Sequence, residues 1–563
     1  MRILLVASAF NSLTQRVYTV LRALGHVVAV ELALGDEPVR AAVERFRPEL
    51  ILAPMLTRAI PEDVWSRYPV FIVHPGPMGD RGPSSLDWAI HENAEVWGVT
   101  VLQAVAEMDA GPIWASAPFS VRPGAKSELY RGEVADAAVS AVLLAVERFQ
   151  SGSFEPDPLD YSRPEISGRL RPYHTQDYRR IDWSVDDTAT VLRKLRSGDS
   201  QPGVLDTLAG REYYLHGGHS EDRLRGAPGQ VIATRDGAIC RATVDGAVWI
   251  LQLRPRRAPG DPATFKLPAV DVLGDFLADV PEVPVSPEEA GRRQTWAEIR
   301  YREDGAVGFL EFAFPSGAMS TQQCRRLLTA YRDAAARRTA VLVLGPARDF
   351  FSNGIHLNVI EAAADPADES WQNINAMDDL VEAILTTTDK LVVSALAGNA
   401  AAGGVMLALA ADEVWCRASV VLNPHYRLMG LHGSEYWTYT LPARVGAEEA
   451  RRLTSAALPV GADEALALRL VDRVVGGSAS EFGTWVGREA ARLAESVSLE
   501  TRLLAKKIRR AGDEAAKPLA AYREEELARM RVNFTDPAEP YHTLRRNFVC
   551  KVSPTATPEH LRG

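Results

Sequence analysis

The 563-residue sequence predicts a multidomain α/β protein: a doubly wound parallel sheet, a small OB-like β-barrel, and a second α/β unit that ends in helices. Three observations carry this. Short apolar runs separated by amphipathic stretches fill residues 1–165, the pattern of a parallel sheet covered on both faces. Residues 166–280 change to short runs punctuated by turn residues such as Arg235-Asp-Gly and Asp245-Gly, as in a small barrel. Strand and helix signals then alternate again over 297–480, and 481–563 is nearly all helical in pattern, rich in Ala, Glu, Arg and Leu. A chain of this length exceeds what one hydrophobic core organises, so roughly three to four domains are expected.

In the first unit the spacing predicts strands over 3–7, 27–32, 50–53 and 70–73, with helices over 14–24, closed by Gly25, and over 39–46. The apolar opening segment is only about one strand long and lacks the layout of a signal peptide, so it reads as a buried first strand. In the middle unit a helix is expected over 188–196 and strands over 229–233, 238–243 and 248–253. Residues 281–296 open with three prolines between Pro281 and Pro287 and are expected to be a linker. Beyond it, strands are expected over 307–312, 340–344 and 391–395, and an alanine-rich helix over 404–411. The tail after Val552 is expected to be loose.

Composition narrows the function. A net charge of −10 and only short basic clusters, such as Arg254 to Arg257, argue against a nucleic-acid partner. Four cysteines stand far apart, without CxxC or Cys/His spacing, which argues against a disulfide framework or a metal site and for a reducing cytoplasm. No segment reaches the roughly 20 apolar residues of a membrane span, so no membrane partner is expected.

Two stretches carry chemistry. The first is Phe71-Ile-Val-His-Pro-Gly-Pro-Met-Gly-Asp-Arg-Gly82, followed by Met108-Asp-Ala-Gly-Pro-Ile113. His74 closes a predicted strand and precedes a stiff Pro-Gly-Pro turn, which places it at the crevice beyond the strand ends. A carboxylate beside a histidine favours the imidazolium, whose charge can stabilise the oxyanion formed when a nucleophile attacks a formyl carbon; Asp109 is the candidate partner. The plainer alternative is a structural histidine, with Asp109 capping a turn. The pattern resembles the folate-dependent formyltransferases, with their Asn-x-His-Pro, Arg-Gly turn and Asp-x-Gly-Pro-Ile, matched here by His74, Pro75, Arg81, Gly82, Asp109, Gly111, Pro112 and Ile113. Ile181-Asp-Trp and the barrel extend the resemblance over about residues 1–265. It implies 10-formyltetrahydrofolate as donor and a pterin near the loop 53–60, with Leu56, Thr57, Ala59, Ile72 and Asp109 as folate-binding candidates. Ile72 stands where the family has its asparagine. Isoleucine cannot donate to an oxyanion, and losing such a donor typically costs about 3 kcal/mol, which disfavours the usual amine acceptors.

The second stretch is Phe351-Ser-Asn-Gly-Ile-His-Leu357 with Gly398-Asn-Ala-Ala-Ala-Gly-Gly-Val405. These loops resemble those of the enoyl-CoA hydratase/isomerase (crotonase) superfamily, and the resemblance runs through Asp472. It implies that the N–H groups of Ile355 and Gly403 polarise a thioester carbonyl, with Asn353 and Gly404 also at the coenzyme A site. The two glutamates of hydratases fall on Met406 and His425, so hydration of an enoyl group is disfavoured. Tyr426, His425, Glu435 and Tyr439 are candidate proton donors or acceptors, Glu435 and Tyr439 being expected four apart on one helical face. The alternative for each is a tyrosine-rich packing ledge.

Taken together, a formyltransferase-like half joined to a crotonase-like half, with His-Pro-Gly-Pro-Met-Gly-Asp-Arg-Gly and Gly-Ser-Glu-Tyr-Trp-Thr-Tyr, resembles the HypX (HoxX) family of [NiFe]-hydrogenase maturation proteins. That resemblance implies formyl transfer from 10-formyltetrahydrofolate to coenzyme A, then loss of carbon monoxide from formyl-CoA for the hydrogenase iron. It also implies hydrogenase maturation proteins or the hydrogenase large subunit as partners. Two alternatives remain at this stage: a tRNA formyltransferase with an inert crotonase appendage, and a non-catalytic scaffold binding folate and coenzyme A.

Overall fold

The computed structural model describes residues 1–345 and 348–562. The first unit contributes β1 (Arg2–Ala7), β2 (Val27–Leu32), β3 (Leu50–Ala53), β4 (Val70–His74), β5 (Val96–Gln103) and β6 (Ile113–Ser120), in the sheet order β2-β1-β3-β4-β5-β6. Alternate residues serve opposite faces, as the two-residue period of a strand requires. Ile3, Leu5, Val30, Leu52 and Phe71 pack under the helix Ala135–Ser151, whereas Leu4, Val6, Ala29 and Ile51 pack against Val39, Val43 and Phe46 of the helix Asp36–Phe46. The parallel arrangement expected from the sequence holds for β1 to β4; β5 runs antiparallel to β4, and β6 antiparallel to β5. The nine residues 104–112 between β5 and β6 are too few for a parallel crossover, which takes a dozen or more.

The second unit is a six-stranded antiparallel sheet of β7 (Val204–Leu208), β8 (Arg211–Glu221), β9 (Val231–Arg235), β10 (Ala238–Ala242), β11 (Ala247–Pro255) and β12 (Leu267–Pro268). Its order is β7-β8-β11-β10-β9 with β12 on β11, so β7 and β9 are edges rather than closed on one another. β7 and β8 were not expected. They form a hairpin through Ala209 and Gly210, both at positive φ, as a tight two-residue hairpin turn demands. The segment expected to be a free linker is bound to this sheet. Thr234 N donates to Pro281 O (2.9 Å) and Val283 N to Thr234 O (2.9 Å), so the proline-rich stretch covers the open edge of β9. Arg293 pairs with Glu221 (2.9 Å) and Asp222 (2.7 Å), and Trp296 is buried.

The third unit supplies β13 (Ile299–Asp304), β14 (Val307–Phe312), β15 (Val341–Leu344), β16 (Leu391–Leu396), β17 (Ala400–Ala401), β18 (Glu413–Arg417), β19 (Val421–Asn423), β20 (Val460–Gly461) and β21 (Arg473–Val475). The main sheet runs β13-β14-β15-β16-β18-β21 and is parallel from β14 onward; β17, β19 and β20 form a small sheet beside it. Val307, Phe309, Val341, Val393 and Trp415 pack on Phe482, Val486 and Ala490 of the helix Ala479–Ala494, while Leu310, Leu342 and Val392 face the helices Thr321–Ala335 and Pro366–Thr386. The alanine-rich helix is shorter than expected, Gly403–Leu409.

First and third units are joined directly. Asp136 accepts from Arg16 (2.6 Å) and from Arg417 (2.8 Å), and Arg131 pairs with Asp349 (2.6 Å). The tail after Val552, expected to be loose, returns to the first unit: Thr557 Oγ1 donates to Glu31 (2.6 Å) and accepts from Leu32 N (2.9 Å), and Leu561 enters the first core. β2 is an edge strand; without this hydroxyl its last N–H group would lack a partner, and buried Glu31 would keep only Arg45 (3.4 Å). Among the described residues no helix is long and apolar enough to cross a membrane. Replacing Thr557 by Val leaves the Leu32 N–H unmet and Glu31 with Arg45 alone, so Thr557→Val is expected to lower stability by about 1–3 kcal/mol. Urea unfolding measures that loss, and faster hydrogen exchange at the Leu32 amide localises it.

Candidate functional site

His74 is the last residue of β4 and is buried. The turn after it is fixed through its carbonyls: Pro75 O accepts from Ser85 Oγ (2.8 Å) and Trp97 Nε1 (3.1 Å), and Gly76 O accepts from Thr100 Oγ1 (2.8 Å). The imidazole lies between two carboxylates. Nδ1 is 3.5 Å from Asp109 Oδ2, as the sequence led us to expect. Nε2 is 2.9 Å from Asp80 Oδ2, a contact the sequence reading missed although Asp80 lies inside the quoted turn. Asp80 is fully enclosed, and its other oxygen is 2.6 Å from Arg171 Nη1. A Cβ on Gly76 would come within 2.3 Å of Asp80 Oδ2 and 2.5 Å of His74 Nε2, so only glycine fits beside this bond. Asp109 is at φ +54° and also accepts from Gly82 N (3.2 Å). Such backbone conformations are costly for residues other than glycine and cluster at functional sites.

Ile72 points to the same side of β4 as His74. With Leu56 it packs on the apolar cluster beneath this face of the sheet. Of the other folate candidates, Thr57 is exposed and tied to Ser8 (N to Oγ 2.8 Å), and Ala59 is exposed in the same loop.

In the third unit the two loops hold one another. Phe351 N donates to Asn399 O (2.9 Å) and Ala401 N to Ser352 O (2.9 Å). A Cβ on Gly404 would meet Ser352 O at 2.0 Å, and one on Gly354 would lie 3.2 Å from Gly403 N. Asn353 braces the loop through Gly317 O and Ser316 O (2.7 Å each). Gly403 opens its helix, so its N–H has no acceptor within the helix, and among the described residues neither Gly403 N nor Ile355 N donates to a backbone carbonyl outside regular structure.

Glu435 is pressed against this pair. A Cβ on Gly403 would lie 2.0 Å from Glu435 Oε1, and Oε2 accepts from Tyr426 Oη (2.8 Å) and Ser434 N (3.0 Å). Burial pushes the Glu435 carboxyl up to about 7, against hydrogen bonds from Tyr426 and Ser434 that favour the anion. Burial and then the charge of Glu435 hold the Tyr426 phenol well above its ordinary value. His425 Nδ1 donates to Asn423 O (2.9 Å), and burial lowers its pKa, which favours the neutral ring. Met406 is wholly within the core, in keeping with its lack of acid–base chemistry.

Glu435 and Tyr439 do not share a helical face. Glu435 and Tyr436 take positive φ (61° and 58°), and the helix begins only at Trp437. The cause is a pair of remote buried carboxylates that capture the backbone. Asp378 accepts from Glu435 N (2.8 Å) and Ser434 Oγ (2.9 Å), and Glu526 accepts from Tyr436 N (2.9 Å) and Thr438 N (2.8 Å). Tyr439 turns outward to Asp513 (2.7 Å) and Arg510 (2.7 Å) and packs on Tyr522, away from Gly403. Burial raises the carboxyls of Asp378 and Glu526, Asp378 further through the charges of Glu435 and Glu526.

A single cavity of about 1260 Å³ touches both regions. At one end it reaches Met55 and Pro75, the neighbour of His74; at the other it is lined by Ile355, Gly403, Tyr426 and Glu435. Lys126 and Arg131 of the first unit and Arg196, His219 and Lys266 of the second also line it. Among the described residues no group of acidic, histidine or cysteine side chains could hold a metal ion.

Comparison with known proteins matches these parts. Residues 14–146 match the formyl transferase family, 174–265 the formyl transferase C-terminal domain, and 305–539 the enoyl-CoA hydratase/isomerase family. The hydrogenase maturation factor HoxX of Bradyrhizobium diazoefficiens is 50% identical over 100% of this chain and 97% of its own. The crystal structure of HypX from Aquifex aeolicus in complex with tetrahydrofolic acid superposes with a TM-score of 0.95 at 44% identity, covering 100% of this chain and 98% of that one. A methionyl-tRNA formyltransferase of Roseiflexus castenholzii is 26% identical over 41% of this chain and 74% of its own.

The shifted carboxyl at Glu435 has a thermodynamic consequence. Its folded-state value of about 7 exceeds the unfolded value of 4.5, so the folded state favours the protonated form. That contribution is fully present below 4.5 and is lost as pH rises toward 7, on the order of 3 kcal/mol in all. Glu435→Gln never ionises. Its Tm relative to the unsubstituted protein is expected to rise between pH 4.5 and 7.5, which calorimetry at several pH values measures directly.

Proposed function

The chain belongs to the hydrogenase maturation factor family that includes HoxX and HypX, and on that footing we propose that it makes carbon monoxide from a folate-borne formyl group in two steps. In the first, at His74 and Asp109, the thiol of coenzyme A attacks the formyl carbon of 10-formyltetrahydrofolate. A C–S bond forms, the C–N10 bond breaks, and the thiol proton ends on N10. In the second, at the Ile355–Gly403 loops, formyl-CoA gives carbon monoxide and free coenzyme A. The observation that supports this reading is the cavity that reaches from Met55 and Pro75, beside His74, to the Ile355–Gly403 loops, because a formyl thioester hydrolyses readily and gains from a passage away from bulk water.

Residue by residue, the amides of Ile355 and Gly403 are suited to hold the formyl oxygen, since neither is engaged by a backbone carbonyl outside regular structure. Glu435 lies against Gly403 and ionises near neutrality, so it can take the formyl proton as the C–S bond breaks. Tyr426, hydrogen-bonded to Glu435, can pass a proton to the departing sulfur and be reprotonated by Glu435. The atoms then balance as HCO–S–R giving CO and R–SH. The cations Lys126, Arg131, Arg196 and Lys266 along the cavity suit the phosphates of coenzyme A. The gas is destined for the hydrogenase iron, and maturation proteins or the hydrogenase large subunit are the proposed recipients.

The direct test supplies 10-formyltetrahydrofolate and coenzyme A and traps gas on a haem protein. Carbon monoxide should appear in step with donor consumption and only when coenzyme A is present. With formyl-CoA supplied instead, the rate should rise with pH through about 7 as Glu435 ionises, and Glu435→Gln should slow release about a hundredfold or more. Donor consumption without gas, in complete mixtures, would exclude the second step.

A further inference from the structure

The contact between His74 and Asp80 assigns a role that the pairing with Asp109 does not. We propose that Asp80 is a positioning residue that fixes the tautomer of His74, making Nδ1 the base that takes the proton of an attacking thiol. The inference deepens the formyl transfer proposed above and rests on that reading for its substrate, but not for its geometry.

Asp80 is held by Arg171, whose guanidinium lies 2.6 Å from Oδ1, and its side chain is closed to solvent. A carboxylate so paired can only accept, so the ring nitrogen 2.9 Å from Oδ2 must carry a hydrogen; that nitrogen is Nε2. In the neutral ring, the hydrogen on Nε2 leaves Nδ1 with a lone pair. Nδ1 faces Asp109, which keeps partial exposure (11% for its side chain, against none for Asp80), so this is the nitrogen on the open side. Gly76 closes the other side, where any Cβ would collide with both His74 and Asp80.

The arrangement is built, not incidental. Asp80 N is pinned to Pro77 O (2.9 Å), and residues 161–171, arriving from the approach to the second unit, lie across the turn. Tyr161 Oη donates to Gly79 O (3.0 Å), Gly168 N to Met78 O (2.9 Å) and Arg171 N to Arg81 O (3.0 Å). A Cβ on Gly168 would fall 1.9 Å from Asp80 N. Arg171 also binds Glu92 (3.0 Å) and stands over the Trp97 ring (5.0 Å). A carboxylate that orients an imidazole, whose far nitrogen then serves as base, is the division of labour in hydrolase triads, where the amide variant of the carboxylate reverses the tautomer.

The chemistry fits a sulfur acceptor. A neutral amine attacks with a lone pair it already has and sheds its proton afterwards. A thiol is a poor nucleophile until it ionises, so its proton must leave as the C–S bond forms. Nδ1 takes that proton, Asp109 (3.5 Å away) steadies the resulting imidazolium, and the same proton is returned to N10 as the C–N10 bond breaks.

Two measurements on Asp80→Asn test this. In protein labelled with 15N-histidine, and assigned through a His74 variant, His74 should be Nε2-protonated in the unsubstituted protein and shift to Nδ1-protonated in Asp80→Asn. In single-turnover transfer from 10-formyltetrahydrofolate to coenzyme A, Asp80→Asn should be slowed about a hundredfold or more at pH 7. The loss should shrink as pH passes the ordinary thiol value of about 8.5, where thiolate forms unaided. Gas release from supplied formyl-CoA, at the distant Glu435 site, reports whether the variant is folded. Arg171→Met, which removes the anchor of Asp80 but keeps the backbone bond of residue 171 to Arg81 O, should reproduce the loss in weaker form if Asp80→Asn proves unstable. An unchanged tautomer, a rate within threefold at pH 7, or an equal loss at every pH would overturn the proposal. If even the unsubstituted protein transfers no formyl to coenzyme A, the two-step reading falls, and the NMR result still judges Asp80.

Discussion

Taking a carboxylate out of water without partners costs several kcal/mol, and both reactive regions are organised around that constraint. Glu435 keeps its place because Tyr426 and Ser434 N bind one oxygen while Gly403, lacking a side chain, makes room for the other. Asp378 and Glu526 are buried as well, and they are satisfied by the backbone N–H groups of residues 435, 436 and 438 and by the hydroxyl of Ser434. The loop therefore cannot relax into helix without stranding two acids. The left-handed φ values at Glu435 and Tyr436 follow from that bonding and are what aim the Glu435 side chain at Gly403.

The same constraint explains why the units cannot be treated as beads on a string. Glu526 comes from a helix, Leu519–Thr535, well beyond the strands of the third unit, so the helical C-terminal region completes the site rather than decorating it. Arg131 with Asp349, and Asp136 with Arg16 and Arg417, hold the first unit against the third, and the tail bonds Thr557 to the edge of the first sheet. The cavity is lined by residues of all three units, which these contacts hold together.

Much of this was legible in the sequence, and the limits were physical. The first four strands of the first sheet stood out because both faces are buried, which leaves unbroken apolar runs such as Leu50–Ala53. β8 escaped notice because Gly217, Gly218 and two histidines interrupt its apolar pattern. The loops around His74, Gly354 and Gly403 were readable because close backbone approach demands glycine at fixed positions. Asp378 and Glu526 left no such trace. They lie 57 and 90 residues from the backbone groups they bind, and no local spacing records a contact of that kind. Tyr439 misled for the same reason: four-residue spacing from Glu435 implies a shared face only if the helix extends that far. The prolines of 281–287 likewise signalled an absence of helix, but a proline-rich segment can still cover a strand edge through Pro281 O and Val283 N, and this one does.

One substitution ties the first site to its acceptor. Resemblance to the folate-dependent formyltransferases places an asparagine where Ile72 stands, and with it a donor to the developing oxyanion. Ile72 instead rests on the apolar cluster under β4, so this side of His74 offers no hydrogen bond. Six residues beyond His74, Asp80 adds a buried acceptor on the imidazole. In the proposed transfer, the site lacks that help for the carbonyl oxygen and has Asp80 to aid removal of a proton from the nucleophile. For an amine acceptor that arrangement loses more than it gains, because the nucleophile needs no base and the charged intermediate needs the donor. For a thiol the balance reverses: ionisation limits attack, and an imidazole freshly protonated by the thiol is itself a cation beside the oxyanion. The identity of residues 72 and 80 therefore argues for sulfur on the same grounds that it argues against the amines of ordinary formyl transfer.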